Sequence, residues 1–256
     1  MSVHPLPISA GAAPVAKLSV TPAASAQAVS KLYAFKPVLR KVSFSIAPGS
    51  SVVLFGANGA GKTTLLRMLA TLAKPSSGRL SVMGLDVRRD ATSIRSLIGV
   101  VAHQPHLYDE LTVRENLLFF GRLYGLSDCN ERADRLLERV GLAPRAHERV
   151  RALSRGQAQR LALARGVMHE PRVLLMDEPD TGLDEDGLAL LEEIVREREG
   201  YHLTTILTTH QIARGLGLCS RAMVLSGGRL TFDGASSDLT KTAVRDLYHG
   251  GSGGAL

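Results

Sequence analysis

The hydrophobic residues of this chain fall into short continuous runs and into longer stretches with helical spacing. Continuous apolar runs cover residues 51–55, 173–177 and 204–207, and a strand buried on both faces of a parallel sheet has this pattern. In residues 111–150, apolar side chains recur every three or four positions, which predicts helices. The recurring residues include Val113, Leu117, Phe120, Tyr124, Leu136, Leu137 and Val140. Strand-like runs that alternate with helical stretches predict an α/β fold around a parallel sheet.

The same pattern predicts how the chain is divided. Residues 1–14 are rich in Pro, Ala and Ser and are predicted to be a disordered extension. Residues 15–240 are predicted to form one domain, within which about 105–165 form a helical subdomain. Residues 241–256 are predicted to be a C-terminal tail, flexible at 250–256 where Gly and Ser dominate.

A glycine-rich loop follows the first apolar run, and its spacing is that of a phosphate-binding loop. Successive backbone N–H groups of such a loop point at an anion, and glycines stand where side chains would collide with it. Lys62 supplies a positive charge for β- and γ-phosphates, and the Thr63 hydroxyl can bind Mg²⁺. A chance glycine-rich turn is the alternative, but an apolar strand before the loop and helix-forming residues after it argue against it. The predicted nucleotide-binding residues here are Gly56, Ala57, Asn58, Gly59, Ala60, Gly61, Lys62, Thr63 and Thr64.

Two acidic residues end the second apolar run. Asp177 stands at the C-terminal end of the predicted strand, where it can hold Mg²⁺ through water. Glu178 follows and is placed to polarise an attacking water. A strand with an acidic turn is the simpler interpretation, but the phosphate-binding loop upstream favours the catalytic one.

Residues 153–157 read Leu153, Ser154, Arg155, Gly156 and Gln157. A serine hydroxyl and glycine N–H groups at a helix start form a second anion site. With these residues the chain resembles the ATP-binding cassette (ABC) family over roughly residues 15–240. The family's signature is usually Leu-Ser-Gly-Gly-Gln, so Arg155 replaces its middle glycine. The resemblance implies a P-loop NTPase core with an antiparallel β subdomain and a small helical subdomain, ATP and Mg²⁺ as ligands, and ATPase activity.

The resemblance implies roles for further residues. Tyr33 resembles the aromatic that stacks on adenine, with an edge-strand tyrosine as the alternative. His210 resembles the switch histidine that contacts the γ-phosphate, although a lone histidine at a strand end is usually structural. The predicted dimer-interface loop contains Gly182, Leu183 and Asp184.

The position that should bind Mg²⁺ and sense the membrane subunit is ambiguous. The family has a glutamine there, whereas this chain reads Val101-Ala102-His103-Gln104-Pro105. Counting back from Leu111-Thr112-Val113 puts His103 at the position of that glutamine, and Gln104 follows it. Gln104 is predicted to be the ligand because an amide oxygen suits a hard cation better, with His103 as its competitor.

Composition limits where the protein acts. The 256 residues, of which 45% are hydrophobic, suffice for one core with a small insert. No apolar stretch approaches the roughly 20 residues of a spanning helix, and the start has no signal-peptide pattern. Cys129 and Cys219 lack metal-like spacing and fit reduced thiols of a cytosolic protein. A net charge of +7 favours anionic lipid or nucleic acid, but it is more often a solvated surface, and no nucleic-acid partner is expected.

The resemblance therefore implies an ATP-hydrolysing subunit that acts in a homodimer or a paired cassette dimer. Each ATP would lie between one chain's phosphate-binding loop and the other's signature, with separate transmembrane permease subunits as partners. The expected location is the cytoplasm, peripheral on the inner face of the cell membrane. Residues 103–105 and 208–211 resemble those of haem-exporter ATPases of cytochrome c maturation, so haem export is the first expectation. An ATPase for a drug, lipid or polysaccharide exporter is the alternative, and a soluble non-transport ABC ATPase is the remote one.

Overall fold

The computed structural model describes residues 21–249. The predicted extension at residues 1–14 and the predicted flexible end at 250–256 lie outside them. The strands are β1 (Ala24–Tyr33), β2 (Lys36–Ile46), β3 (Ser51–Gly56), β4 (Ser77–Val82), β5 (Leu85–Asp86), β6 (Ile98–Val101), β7 (Val173–Asp177), β8 (Thr204–Thr208), β9 (Arg221–Ser226) and β10 (Arg229–Ala235). The helices are α1 (Lys62–Leu69), α2 (Ala91–Leu97), α3 (Val113–Leu123), α4 (Cys129–Arg139), α5 (Arg155–Val167), α6 (Glu185–Gly200), α7 (Ile212–Leu218) and α8 (Lys241–His249). Short 3₁₀ turns lie at Ala143–Arg145, Val150–Ala152 and Ser236–Asp238.

The larger sheet has the order β10-β9-β3-β8-β7-β6. Its strands β9, β3, β8, β7 and β6 run parallel, and β10 pairs antiparallel at one edge. Every residue of β3 and β8 is buried, since helices and the second sheet cover both faces. The mixed α/β architecture predicted from the apolar runs is confirmed.

The second sheet is the antiparallel β subdomain, with the order β2-β1-β4-β5. It shares a hydrophobic core with α1 on one face of the larger sheet. The helices α3 to α8 contribute to a second core on the opposite face. Alternate residues of β3 serve the two cores, because Val52 and Leu54 face one and Val53 and Phe55 the other.

Helix α5 is held against β6 by a close glycine contact. A methyl group on Gly99 of β6 would come within 2.1 Å of the Gly166 carbonyl oxygen in α5. Helices α3 and α5 each begin with a capping box, formed by Thr112 with Glu115 and by Ser154 with Gln157. The glycine contact and the Ser154–Gln157 capping box help to position the N-terminus of α5.

The predicted C-terminal tail starts with a helix. Residues 241–249 form α8, whose Val244 is fully buried in the core that α3 to α7 share. The Ser226 hydroxyl donates a hydrogen bond to the Tyr248 carbonyl, at 3.2 Å. The packed part of the chain therefore extends at least to Tyr248, eight residues beyond the predicted domain boundary at 240.

None of the helices between residues 21 and 249 has the length and apolar character that crossing a bilayer requires.

Candidate functional site

The predicted phosphate-binding loop connects β3 to α1. Gly61 lies directly before α1 with a φ of +106°, and a methyl group there would come within 2.6 Å of Leu39 Cδ2. Glycine is therefore needed at this position for its backbone conformation and for the space it leaves. The loop consequently presents backbone N–H groups and a helix N-terminus, which attract anions.

The side chain of Lys62 folds back over this loop. Its Nζ donates to the Gly56 carbonyl at 2.8 Å and to the Ala57 carbonyl at 3.3 Å. Burial lowers the pKa of Lys62, while the negative charges of Glu178 and Asp177 act in the opposite direction. The ammonium group thus lies in a partly desolvated position close to two carboxylates, where a phosphate group would be a favourable further partner.

Asp177 and Glu178 are held at the end of β7 by a threonine of β8. The Thr208 hydroxyl donates to Asp177 Oδ1 at 2.7 Å and accepts from the Glu178 backbone N–H at 2.9 Å. Thr208 is fully buried, so its hydroxyl group is shielded from water. No role for Thr208 was predicted from the sequence, although a threonine at the end of a buried strand needs a hydrogen-bond partner for its hydroxyl group.

Glu178 lies between two histidines. His210 Nε2 is 2.6 Å from Glu178 Oε1, and His103 Nδ1 is 3.5 Å from Glu178 Oε2. The Glu178 backbone has a φ of +52°, a region that non-glycine residues rarely occupy. Backbone strain of this kind is concentrated at functional sites, and here it accompanies a carboxylate with both oxygens directed at imidazoles.

A second buried pair supports the loop after β8. The Thr209 hydroxyl donates to Asp180 Oδ2 at 2.6 Å and also accepts from the Gln211 backbone N–H at 3.0 Å. These two contacts tie the turn that carries His210 to the loop that follows Glu178. Neither Thr209 nor Asp180 was predicted as a site residue.

His103 and Gln104 lie in the loop after β6. Both line one open cavity of about 710 Å³ together with Thr63 and Asp177. Of the two, His103 is the residue within ion-pair distance of Glu178. The structure thus brings the predicted magnesium ligands to one cavity, and the choice between His103 and Gln104 stays open.

The oxygen donors at this cavity fit Mg²⁺. Residues 21–249 contain no group of three or more His, Cys, Asp or Glu side chains that could hold a metal ion. Mg²⁺ is usually held by one or two protein oxygens together with waters and substrate phosphates. The Thr63 hydroxyl and the Asp177 carboxylate, beside a phosphate-binding loop, match that donor set.

The signature residues lie on a separate surface, at the start of α5. The Ser154 hydroxyl accepts from the Gln157 backbone N–H at 3.3 Å, and a methyl group on Gly156 would be 3.0 Å from the Gly182 carbonyl oxygen. The signature and the predicted interface loop therefore form one surface. We call the surface made by Ser154, Arg155, Gly156 and Gly182 the signature face. Among the described residues, no hydrogen bond or ion pair joins it to the phosphate-binding loop.

Tyr33 ends β1 beside the β1–β2 hairpin and is 44% exposed. Strand β1 lies between β2 and β4 rather than at a sheet edge. The Lys31 Nζ is 4.7 Å from the centre of the Tyr33 ring. An exposed ring is available for stacking, but its contact with adenine stays a prediction.

Comparison with known proteins places these features in a family. The model of the family described as "ABC transporter" matches residues 39–181. The Nod factor export ATP-binding protein I of Paraburkholderia xenovorans (strain LB400) is 42% identical over 218 residues, which cover 84% of this chain and 72% of that protein. The daunorubicin resistance ATP-binding protein DrrA3 of Streptomyces coeruleorubidus is 41% identical over 211 residues, covering 82% of this chain and 67% of that protein.

Solved structures give the same result. A dimeric ATP-binding cassette in a post-hydrolysis state, bound to ADP and Pi, superimposes with a TM-score of 0.75 at 26% identity. The match covers 83% of this chain and 98% of that one. The chain therefore belongs to the ABC transporter family as an ATP-binding subunit, an ATPase that works with ATP and Mg²⁺.

Proposed function

We propose that this chain is the ATP-hydrolysing subunit of an exporter for a drug, lipid or polysaccharide, and that it works with separate membrane subunits. The observation that carries the export assignment is the pair of relatives at 41–42% identity, which are named for Nod factor export and daunorubicin resistance. Neither name refers to haem or cytochrome c. Haem export was expected from residues 103–105 and 208–211 alone. The drug, lipid or polysaccharide exporter, which was the alternative, is therefore the better-supported assignment.

Hydrolysis would be carried out by the groups gathered at the ends of β3, β7 and β8. In this proposal Lys62 and the loop N–H groups bind the β- and γ-phosphates. Thr63 and Asp177 would hold Mg²⁺, which would neutralise phosphate charge. Glu178 accepts a hydrogen bond from the attacking water and takes its proton as the bond from phosphorus to the leaving oxygen of ADP breaks. His210 orients the Glu178 carboxylate, because its Nε2 lies 2.6 Å from one of the two oxygens.

A second cassette is needed to complete each site. The signature face carries a capped helix N-terminus and exposed glycine backbone, yet it lies apart from the phosphate-binding loop of its own chain. In a head-to-tail dimer, each signature face would meet the ATP held by the opposite chain. The dimeric state of the structural neighbour bound to ADP and Pi supports this arrangement. The dimer would close when ATP binds and reopen after hydrolysis.

An exposed aromatic surface beside the loop that follows β6 supports a protein partner. Tyr108 and Phe119 are 50% and 40% exposed, and their ring centres are 4.9 Å apart. Leu123, one helical turn after Phe119 on α3, is 70% exposed. Exposed apolar side chains that cluster in this way mark interaction sites. We assign this surface to a cytoplasmic segment of the membrane subunit, which would place the chain on the inner face of the membrane.

The catalytic assignment is tested with Glu178→Gln in the full chain. This variant should bind ATP, lose ATPase activity by a factor of about 10² to 10⁴, and accumulate as an ATP-bound dimer in size-exclusion chromatography. Glu138→Gln is the matched control, because Glu138 is an exposed glutamate on α4. A normal rate of ATP hydrolysis by Glu178→Gln would show that Glu178 is not the general base.

The export assignment is tested in the source cell. Affinity purification from membranes should recover a separate permease, and Glu178→Gln should reduce efflux of the cargo while covalently bound haem in c-type cytochromes stays normal. Loss of that haem would instead support haem export. Recovery of the chain in the soluble fraction alone, even with the permease present, would support the non-transport alternative.

A further inference from the structure

We propose that Asp180 is a positioning residue for ATP hydrolysis, and that through the Thr209 hydroxyl it holds the turn that directs His210 at Glu178. The inference rests on the proposed function, since it requires Glu178 to activate water with His210 as its orienting partner. It adds to that site a pair of buried residues that lie behind the two reacting side chains.

Packing around the His210 ring does not set its direction. The side chain is 51% exposed, and its hydrogen-bond partner among residues 21–249 is Glu178. The direction of the ring therefore depends on the backbone turn that carries it. Thr209 holds this turn, because its hydroxyl accepts from the Gln211 backbone N–H at 3.0 Å and so forms a bond that spans His210.

The hydroxyl that holds the turn is itself held by Asp180. The Thr209 hydroxyl donates its one proton to Asp180 Oδ2 at 2.6 Å. Asp180 and Thr209 are only 8% and 4% exposed, so water has little access to this hydrogen bond. The position of the turn before α7 therefore follows the position of the Asp180 carboxylate.

The backbone at Asp180 is anchored on two sides. The Thr181 backbone N–H donates to the Glu178 carbonyl at 3.1 Å, so these four consecutive residues form a tight turn with Pro179 at its second position. The Pro179 carbonyl accepts from Gln159 Nε2 of α5 at 3.3 Å, and Gln159 is 2% exposed. Asp180 thus has a fixed position relative to Glu178 and can serve as the support for Thr209.

Stability of the fold does not explain a carboxylate at this position. Asp180 is buried, yet between residues 21 and 249 no Lys, Arg or His side chain forms an ion pair with it. Arg214 lines the same small cavity but pairs with Glu192 at 3.3 Å instead. Burying a carboxylate without a cationic partner costs free energy. Conflicts of this kind between stability and sequence are expected at functional sites.

The test compares variants that remove the hydrogen bond with variants that keep it. Asp180→Ala and Thr209→Val should lower the rate of ATP hydrolysis about tenfold to 10²-fold, because His210 is displaced from Glu178. Binding of a non-hydrolysable ATP analogue, measured by calorimetry, should not change. Asp180→Asn and Thr209→Ser should recover most of the rate, since the first keeps an acceptor oxygen and the second keeps the hydroxyl. Rates are measured in single turnover with the full chain in excess over ATP, so that slow variants remain measurable.

A double-mutant cycle with His210→Ala separates positioning from a purely structural role. If Asp180 acts through His210, adding Asp180→Ala to the His210→Ala chain should slow hydrolysis by less than about twofold. A structural role would slow hydrolysis by the same factor with and without His210. That second result would overturn the proposal.

Thr205→Val is the matched control for Thr209→Val. Thr205 is a buried threonine near the start of β8, and its hydroxyl accepts from Arg198 Nε at 3.2 Å. Its substitution should lower the free energy of unfolding, as measured with denaturant, and leave the rate of hydrolysis unchanged. If Thr205→Val slowed hydrolysis as much as Thr209→Val, the rate would be following stability alone, and the positioning role would be wrong.

The outcomes separate this inference from the proposed function. If Glu178→Gln and His210→Ala both hydrolyse ATP at the parent rate, the catalytic assignment of the proposed function fails, and this inference fails with it. If those two variants are slow while Asp180→Ala and Thr209→Val keep the parent rate, only this inference fails.

Discussion

His210 Nε2 lies 2.6 Å from Glu178 Oε1, which joins two residues 32 positions apart at the ends of neighbouring parallel strands. The pairing occupies one carboxylate oxygen and leaves the other facing His103 at 3.5 Å. Glu178 is thus held in a fixed direction in the proposed catalytic site, while its side chain remains 23% exposed and open to water.

We expect His210→Ala to lower the ATPase rate by about 10²-fold or more, because the Glu178 carboxylate loses the donor that orients it. ATP binding should change little, since the contacts of Lys62 with the loop remain. Steady-state ATPase assays and nucleotide titrations measure the two effects. His147→Gln, at an exposed histidine outside the site, is the control. A turnover rate for His210→Ala close to that of the parent would contradict the orienting role.

Thr208→Val should reduce both stability and activity. Valine has nearly the same shape but lacks the hydroxyl that bridges Asp177 and the Glu178 N–H, at 2.7 and 2.9 Å. Leaving a buried N–H without its partner should lower the free energy of unfolding by about 1–3 kcal/mol. Denaturant unfolding measures the stability, and ATPase assays measure the displacement of the two carboxylates. Thr231→Val, at an exposed position of β10, should change neither quantity appreciably.

His103 and Gln104 can be separated by their dependence on Mg²⁺. Gln104→Ala should raise the Mg²⁺ concentration for half-maximal ATPase activity several-fold, because an amide oxygen is lost from the proposed cation site. His103→Ala should lower the maximal rate without that shift, because His103 contacts Glu178 rather than an oxygen ligand. Titrations of activity with Mg²⁺ at saturating ATP distinguish the two. The opposite pattern would transfer the magnesium role to His103.

Gly99→Ala should destabilise the packing of α5 on β6. The added methyl group would lie 2.1 Å from the Gly166 carbonyl oxygen, and backbone on both sides must move to accommodate it. Overpacking of this kind typically costs about 1–3 kcal/mol. Since α5 carries the signature face at its N-terminus, ATP-driven dimerisation should weaken as well. Gly217→Ala in α7, with nothing within 4 Å of the added methyl group, should leave stability unchanged or slightly raised, as measured by thermal unfolding.

Local pattern was sufficient for the elements that position the nucleotide. The runs at 51–55 and 204–207 correspond to β3 and β8, and 173–177 is β7 residue for residue. A strand that is buried on both faces is mostly apolar, so it can be predicted from its own sequence without knowledge of its neighbours. The phosphate-binding loop can be predicted for a similar reason, because the spacing of its glycines and Lys62 that phosphate binding requires lies within a few consecutive residues.

Helix α8 shows where local pattern was insufficient. Its nine residues contain few apolar side chains, too few to stand out from a solvated tail. The buried position of Val244 against the core formed by α3 to α7 makes the segment part of the fold. A short helix of this kind is stabilised mainly by tertiary packing rather than by its own propensity.

The sequence by itself determined the family, the α/β class and the residues available for phosphate and Mg²⁺, because each depends on contiguous residues or on one strand's burial. Only the tertiary structure decided which side chains meet. It joined Thr208 to Asp177, brought His103 rather than Gln104 to Glu178, and laid Arg155 across Gly182. These contacts connect residues 27 to 75 positions apart, and the parallel order of β6, β7 and β8, together with the docking of α5, sets their distances.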